Sequence, residues 1–343
     1  MNNVRITAIM GACFLLMFAA ACTNTGGEEQ ETAPEDEASN ETSPETTENE
    51  QEIRLPEMAL IKKDEGKEVT DLQHALEAIG YPVQISGVYD EMTTWAITDF
   101  QLQHDGLTPL GVYNEQTKEA LNVALSEGFS GEAGKGLPQP TETAASDGGT
   151  PVLSNPYDQL ALVNKQQALP SDYVPGDMVV PDVRFPFEED LPKKKMREPA
   201  AEALKNLFEA AEEDGLELFA QSGYRSYDRQ DSLFASYVEA NGEEAANKFS
   251  ARPGESEHQT GLTMDITSAS VDFELTTDFG ETEEGKWVKE HAAEYGFIIR
   301  YPEGKEQITG YQYEPWHLRY VGEKTAKGIR NQEITLEEYL NEE

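Results

Sequence analysis

Two histidines and an aspartate carry the ligand chemistry in this chain. His258 and Asp265 lie seven residues apart in "SEHQTGLTMD", and His317 follows in "YEPWHLRY". Only five histidines occur in 343 residues, so a pair beside a carboxylate stands out. Two imidazoles and one carboxylate suit zinc, with the fourth position left for water. Zinc would lower the pKa of that water and polarise a scissile carbonyl. A hydrolase built this way needs a base, and Glu314, three residues before His317, is the candidate. It also needs a cation for an oxyanion or for a substrate carboxylate, and Arg225 in "SGYRS" suits that role. Each residue also has a plainer reading: a structural histidine, a surface aspartate, a surface ion pair.

The elements around these residues must bring them together. In "GLTMDIT", Leu262, Met264 and Ile266 alternate with Thr263, Asp265 and Thr267, the pattern of a strand with Asp265 on the polar side. His258 is an odd number of residues from Asp265, so an unbroken strand would turn it to the opposite face. Gly261 offers the necessary bend. Pro315 disfavours a helix across Glu314, and a turn or bulge is expected to aim Glu314 and His317 at one point. Upstream, "PAAEALKNLFEAAEEDG" reads as a helix with Pro199 at its start and Gly215 at its end. "LELFAQSGYRS" reads as a strand leaving through Ser222 and Gly223. "YDRQDSLFASYVEANG" reads as a helix with Asp228 as N-cap, and "EGKWVKEHAAEYG" as another. "FIIRYP" and "YEPWHLRYVG" read as further strands. Helices mixed with short, mostly antiparallel strands make this an α+β domain. His291 shares a helix with Trp287 and reads as structural.

Residues 67–126 are organised differently. Three helices are expected, and the halves "LQHALEAIGYPVQISGVYDEMT" and "FQLQHDGLTPLGVYNEQT" repeat one scheme. His74 and His104 belong to these helices. Residues 127–150, rich in Gly, Pro, Ser and Thr, read as a linker. At the other end, Arg5, the apolar run Ile6–Phe18 and three alanines before Cys22 make residues 1–21 a secretory signal. "FAAAC" resembles a bacterial lipobox, with Ala19 where leucine is usual; Cys22 would then be the lipidated first residue. With Cys13 removed, no pair remains for a disulfide. Residues 22–66 read as a disordered acidic tether: Thr23 to Ile53 hold eleven acids, no Lys or Arg and almost no large apolar residue. The net charge of -40 argues against a nucleic-acid partner.

Two resemblances follow from these motifs. The first compact segment, with its "LQ", "GVYDEMT" and "FQLQHDGL", resembles the three-helix peptidoglycan-binding domain of cell-wall hydrolases. Within the domain of residues 151–343, nearly all of Leu160 to Gly322, with "SGYRS", "RPGESEHQTGLTMD" and "EPWHLRY" in that order, resembles the VanY-type D-alanyl-D-alanine carboxypeptidases, zinc peptidases that share their fold with the Hedgehog signalling domain. The resemblance implies zinc on His258, Asp265 and His317, Glu314 as base and Arg225 at the substrate. Gln230, Ser256 and Trp316 would line the pocket. Thr263 stands where the family commonly has alanine, a change expected to be tolerated. The implied function is removal of the terminal D-alanine from peptidoglycan stem peptides by a lipid-anchored enzyme outside the cytoplasm, facing the wall. Two alternatives stand beside it: an L,D-carboxypeptidase or endopeptidase with the same metal and base, and a non-catalytic wall-binding protein.

Overall fold

A computed structural model describes residues 53–129, 131–140 and 149–340. The signal segment, Cys22 and the acidic run to residue 52 lie outside the described residues. Among the described residues, no helix is long and apolar enough to cross a membrane.

The first lobe is built from α1 (Lys67–Ala78), α2 (Glu91–Leu102) and α3 (Glu115–Glu127) around Leu72, Tyr89, Trp95, Phe100 and Leu121. Its repeated halves have a common physical cause. Gln73 and Gln101, both buried, each plug the loop that follows their helix. Gln73 accepts from Gly87 N at 2.9 Å and donates to Val88 O and Thr93 Oγ1. Gln101 accepts from Leu110 N and Gly111 N and donates to Val112 O and Thr117 Oγ1. Asp90 and Asn114 then cap α2 and α3, accepting from Thr93 N at 2.8 Å and Thr117 N at 3.0 Å. The recurring Gln, Gly-Val-Tyr and Asp/Asn-x-x-Thr are parts of one loop-and-cap device used twice.

Two expected boundaries shift. The acidic tether was expected to run to residue 66, but residues 53–66 are packed on this lobe. Leu60 and Ile61 are buried, and Leu60 exchanges backbone hydrogen bonds with Tyr113. The apolar residues Leu55, Leu60 and Ile61 give this stretch something to bury, unlike the residues before it. The linker also departs from expectation, because residues 131–140 fold back onto α2. The buried Asp99 carboxylate accepts from Gly134 N at 3.0 Å, Gly136 N at 2.7 Å and Leu137 N at 2.6 Å. Trp95 Nε1 donates to Leu137 O at 3.0 Å. A buried carboxylate must have its lone pairs met, and the backbone N–H groups of this segment meet them together with Tyr81 and Gln103.

The α+β part begins with a two-stranded antiparallel ribbon of β1 (Met178–Val179) and β2 (Met196–Arg197), followed by α4 (Glu198–Glu213). Then come β3 (Phe219–Ser222), α5 (Tyr227–Asn241), α6 (Glu243–Phe249), β4 (Thr263–Thr267), α7 (Glu283–His291), β5 (Phe297–Tyr301), α8 (Glu306–Thr309), β6 (Glu314–Tyr320), α9 (Glu323–Gln332) and α10 (Leu336–Leu340). The four long strands form an antiparallel sheet in the order β3-β4-β6-β5. One core joins the apolar stripe of α4 (Leu204, Leu207, Ala211) to Met264, Ile266 and Leu318 on the sheet. The N-cap of α5 is Ser226, not the expected Asp228: its hydroxyl accepts from Arg229 N, and Asp228 sits in the first turn. An acid there still faces the positive helix end.

The lobe and the sheet belong to one compact unit, residues 52–343. Asn155 Nδ2 donates to Thr98 Oγ1 at 3.0 Å, and Gln159 N to Leu110 O at 3.0 Å. Fully buried Arg197 ties the parts further. Its Nε reaches both Asp177 oxygens, Nη1 reaches Tyr157 O and Nη2 reaches Pro109 O of the lobe. Asp99→Ala is expected to lower stability by about 3 kcal/mol, since several buried donors lose a charged acceptor together. Thermal unfolding and faster proteolysis within residues 131–140 are the measurements; an unchanged melting temperature would contradict this role.

Candidate active site

Asp265 and His317 meet because they are paired across strands. In the β4–β6 register Asp265 is the partner of His317 and Met264 the partner of Leu318, so one pair faces the site and the other the core. Asp265 Oδ1 lies 3.0 Å from His317 Nδ1. Glu314 would point away from His317 in a regular strand, three residues being an odd step. The β5–β6 register shifts between Ile299↔Leu318 and Tyr301↔Glu314, and this irregularity is the expected bulge. It leaves Glu314 Oε2 3.8 Å from His317 Nδ1.

His258 arrives from outside the sheet. It sits in a 3-10 turn, Glu257–Thr260, which Gly261 ends in the left-handed conformation at φ 69°. A Cβ at Gly261 would lie 2.9 Å from Arg197 Cγ, so both backbone and space call for glycine. His258 Nδ1 lies 2.7 Å from Gly223 O at the end of β3, which sets that nitrogen as the donor. Nε2 is thereby left facing Asp265 Oδ2 at 3.4 Å. His258, Asp265 and His317 are all buried, and each offers a ligand atom within 4.8 Å of the others. Among the described residues, Asp265 Oδ1 has no hydrogen-bond partner. A buried carboxylate whose Oδ1 faces His317 Nδ1 and whose Oδ2 faces His258 Nε2 fits a divalent cation, and this donor set is that of zinc.

The electrostatics agree with a cation-ready site. Burial and the Arg225 cation push His258 down to about 3, so it stays neutral, the form that ligates. Burial opposes charge on His317 too, but Asp265, Glu257 and Glu314 outweigh it and raise the ring to about 9. Asp265 is held below its ordinary value because His258, His317 and Arg225 overcome the effect of burial. Burial, reinforced by Asp265, lifts Glu314 to about 7, against His317 and Arg225. The metal-free cluster therefore keeps a proton on His317 where a bound cation would displace it.

These groups open on a cavity of about 440 Å³ that Arg225, Ser256, Glu314 and Trp316 also line. Tyr301 covers one face of the His317 ring, centroids 4.8 Å apart. Gln230 does not line this cavity, contrary to expectation. It is buried, its Oε1 accepts from Arg225 Nη1 at 2.9 Å and its Nε2 donates to Ala251 O at 2.6 Å. With both ends of its amide engaged, it holds the guanidinium. Thr263 is fully buried, and its hydroxyl has no partner among the described residues. The remaining histidines lie elsewhere: His74 on α1, His104 against Phe100, and His291 stacked on Trp287 at 4.6 Å.

Sequence reasoning missed Glu257. It is fully enclosed, with Oε1 accepting from Arg300 Nε at 2.8 Å and Arg319 Nη1 at 2.7 Å. A signal was present: "FIIRYP" and "HLRYVG" each place an arginine in an apolar strand, and a buried arginine requires a buried acceptor.

The comparisons with known proteins agree with this geometry. Residues 193–323 match the VanY family, described as D-alanyl-D-alanine carboxypeptidase, and residues 65–121 match the "Putative peptidoglycan binding domain". "Putative carboxypeptidase YodJ" of Bacillus subtilis (strain 168) is 58% identical over 192 residues, 56% of this chain and 70% of that protein. The chain belongs to the VanY carboxypeptidase family. It is thus a carboxypeptidase that acts on peptidoglycan peptides, with a peptidoglycan-binding domain before it, and its cofactor is zinc. A D-alanyl-D-alanine carboxypeptidase of Enterococcus faecalis (strain ATCC 700802 / V583) is 34% identical over 193 residues, 54% of this chain and 66% of that protein. The solved LdcB LD-carboxypeptidase is 56% identical with a TM-score of 0.57, covering 58% of this chain and 93% of that one.

Zinc uptake at pH 8 is expected to release at least one proton per metal, because His317, raised to about 9, still holds its proton there while His258 and Glu314 do not, and ionisation of a zinc-bound water would add to that number. Calorimetry in buffers of different ionisation enthalpy reads this number. Zero release would remove His317 from the ligand set.

Proposed function

We propose that this protein is a zinc-dependent carboxypeptidase that removes the C-terminal D-alanine of peptidoglycan stem peptides, with His258, Asp265 and His317 as ligands. The observation that carries the reading is the buried cluster of these three side chains with Glu314 3.8 Å from His317 at the same cavity. Zinc bound there would acidify a water and polarise the scissile carbonyl. Glu314 accepts the proton of the attacking water and returns it to the amine of the departing D-alanine. A carboxylate raised to about 7 in the metal-free site is suited to both steps. Arg225, steadied by Gln230, binds the substrate's terminal carboxylate or the developing oxyanion. Ser256 and Trp316 provide the wall against which the D-alanine side chain packs. The pairing of catalytic groups with an acid-base glutamate disfavours a non-catalytic wall-binding protein.

On the residue preceding the scissile bond, the likeness to the LdcB LD-carboxypeptidase favours L,D-cleavage of tetrapeptide stems. The D,D-cleavage of pentapeptides expected from the motifs is the second reading, favoured by the family's description and by the Enterococcus faecalis relative. The peptidoglycan-binding lobe, packed on the peptidase, would keep the cavity near its substrate and raise the local stem-peptide concentration. In this reading residues 1–21 direct export, lipid on Cys22 anchors the enzyme to the membrane, and the acidic stretch after it supplies reach into the wall.

Purified protein assayed on synthetic tetrapeptide and pentapeptide stems is expected to release D-alanine from the tetrapeptide faster. Faster release from the pentapeptide would establish the D,D reading instead. Glu314→Gln is expected to lower kcat by about 1000-fold with little change in zinc content. Wild-type activity in that variant would remove Glu314 as the base.

A further inference from the structure

Against the His317 ring, where Glu257 forms part of the cavity's lining, lies a buried set of charges that the reaction as described does not use. Arg300 and Arg319 are fully buried, as is Glu257, and Glu337 of α10 is nearly so. Arg300 makes its bidentate pair with Glu337, Nη1 to Oε2 at 2.9 Å and Nη2 to Oε1 at 2.7 Å. It gives Glu257 only its Nε, and Arg319 gives only Nη1; both land on the same oxygen, Oε1. The other oxygen, Oε2, has no hydrogen-bond partner among the described residues. It faces His317 Nε2 at 3.6 Å, and that nitrogen also has none.

We propose that Glu257 is a positioning residue for the metal site, its free oxygen Oε2 receiving the Nε2–H of His317 while Nδ1 serves the metal. Three observations converge on this. His317 Nδ1 is the nitrogen turned to Asp265 and Glu314, so Nε2 is the one left to carry the proton. The two orphaned buried atoms face each other, and leaving either unmet is costly. A carboxylate that served only to neutralise the arginines would spread both oxygens across a guanidinium fork; this one stacks both arginines on Oε1 and turns Oε2 to the ring. His258 is held in the same way by Gly223 O. The two rings would thus be locked in opposite tautomers, one ligating through Nε2 and the other through Nδ1. Glu337, which anchors Arg300 from the far side, lies in α10, beyond residues 193–323 that match the family.

This inference rests on the three-ligand reading above, and the two fail differently. Full-length protein that binds no stoichiometric zinc overturns the ligand set and, with it, the role of Glu257. If zinc binds one to one, nitrogen NMR of the histidine-labelled, zinc-loaded wild type decides whether or not any variant folds. One ring bound through Nε2 and one through Nδ1, with a slowly exchanging Nε2 proton on the latter, is expected. Both rings bound through Nε2 would overturn the proposal. In Glu257→Gln the amide must turn its oxygen to the two arginines and its NH2 to the His317 N–H, setting donor against donor. Zinc affinity, measured by competition with a chromophoric chelator, is expected to fall about 10- to 100-fold. Glu337→Gln disturbs the same arginine without touching the ring. It is expected to lower the melting temperature and leave zinc affinity within about twofold. Equal losses of affinity in the two variants, or none in Glu257→Gln, would reduce Glu257 to a structural acid.

Discussion

The structure depends on keeping two arginines charged inside the protein. Arg300 on β5 and Arg319 on β6 have no access to water, and a buried unpaired guanidinium would be prohibitive. Glu257 answers both, Glu337 answers Arg300 again, and Arg319 also donates to Gln159 O and Ala161 O. Burial alone would raise Glu257, but the two arginines outweigh it and hold its carboxyl well below the usual range. The partners come from four separated stretches: the lead-in before β1, the turn before β4, the sheet and α10. Charge balance therefore forces segments far apart in the chain to close on the sheet beside the site.

The metal cluster grows on that base. Cross-strand pairing sets Asp265 against His317, a bulge turns Glu314 to the same face, and the left-handed Gly261 swings His258 inward. None of these devices is strong alone, yet each is locked by something rigid. Gly261 O accepts from Arg197 N at 2.7 Å, and the Arg197 side chain reaches the peptidoglycan-binding lobe. The bend at Gly261 is thus physically continuous with the lobe that matches the peptidoglycan-binding domain. A linker of the expected kind would have left the two parts independent; the Asn155, Gln159 and Arg197 contacts join them.

Much of the site was legible in the sequence because metal chemistry restricts residue types. Few histidines, one carboxylate on the polar side of an alternating strand, and a glutamate near the second histidine narrow the choices sharply. The helices of both parts were legible for a similar reason: their stripes and caps are local. Gln230 was misplaced because a glutamine's role depends on which groups its two ends meet, here Arg225 and Ala251 O. Glu257 went unseen because an acid beside a histidine in a polar run looks exposed. The tether and linker were drawn too long because composition reports what a segment lacks, not what a neighbouring lobe offers it. Asp99 was such an offer.

The sequence by itself determined the donor types, the order of the motifs, the alternation that puts Asp265 on a polar face and the helical lobe with its repeated loops. These follow from short-range periodicity and from the chemistry of single side chains. Only the tertiary structure decided which nitrogen of each histidine faces the cluster, that Gln230 serves Arg225, and that Glu257 lies against the His317 ring. It also decided that lobe and peptidase pack as one unit. Those outcomes turn on strand register and on where buried charges find their partners, and both are set by residues tens to hundreds of positions apart, as Gln159 is from Arg319.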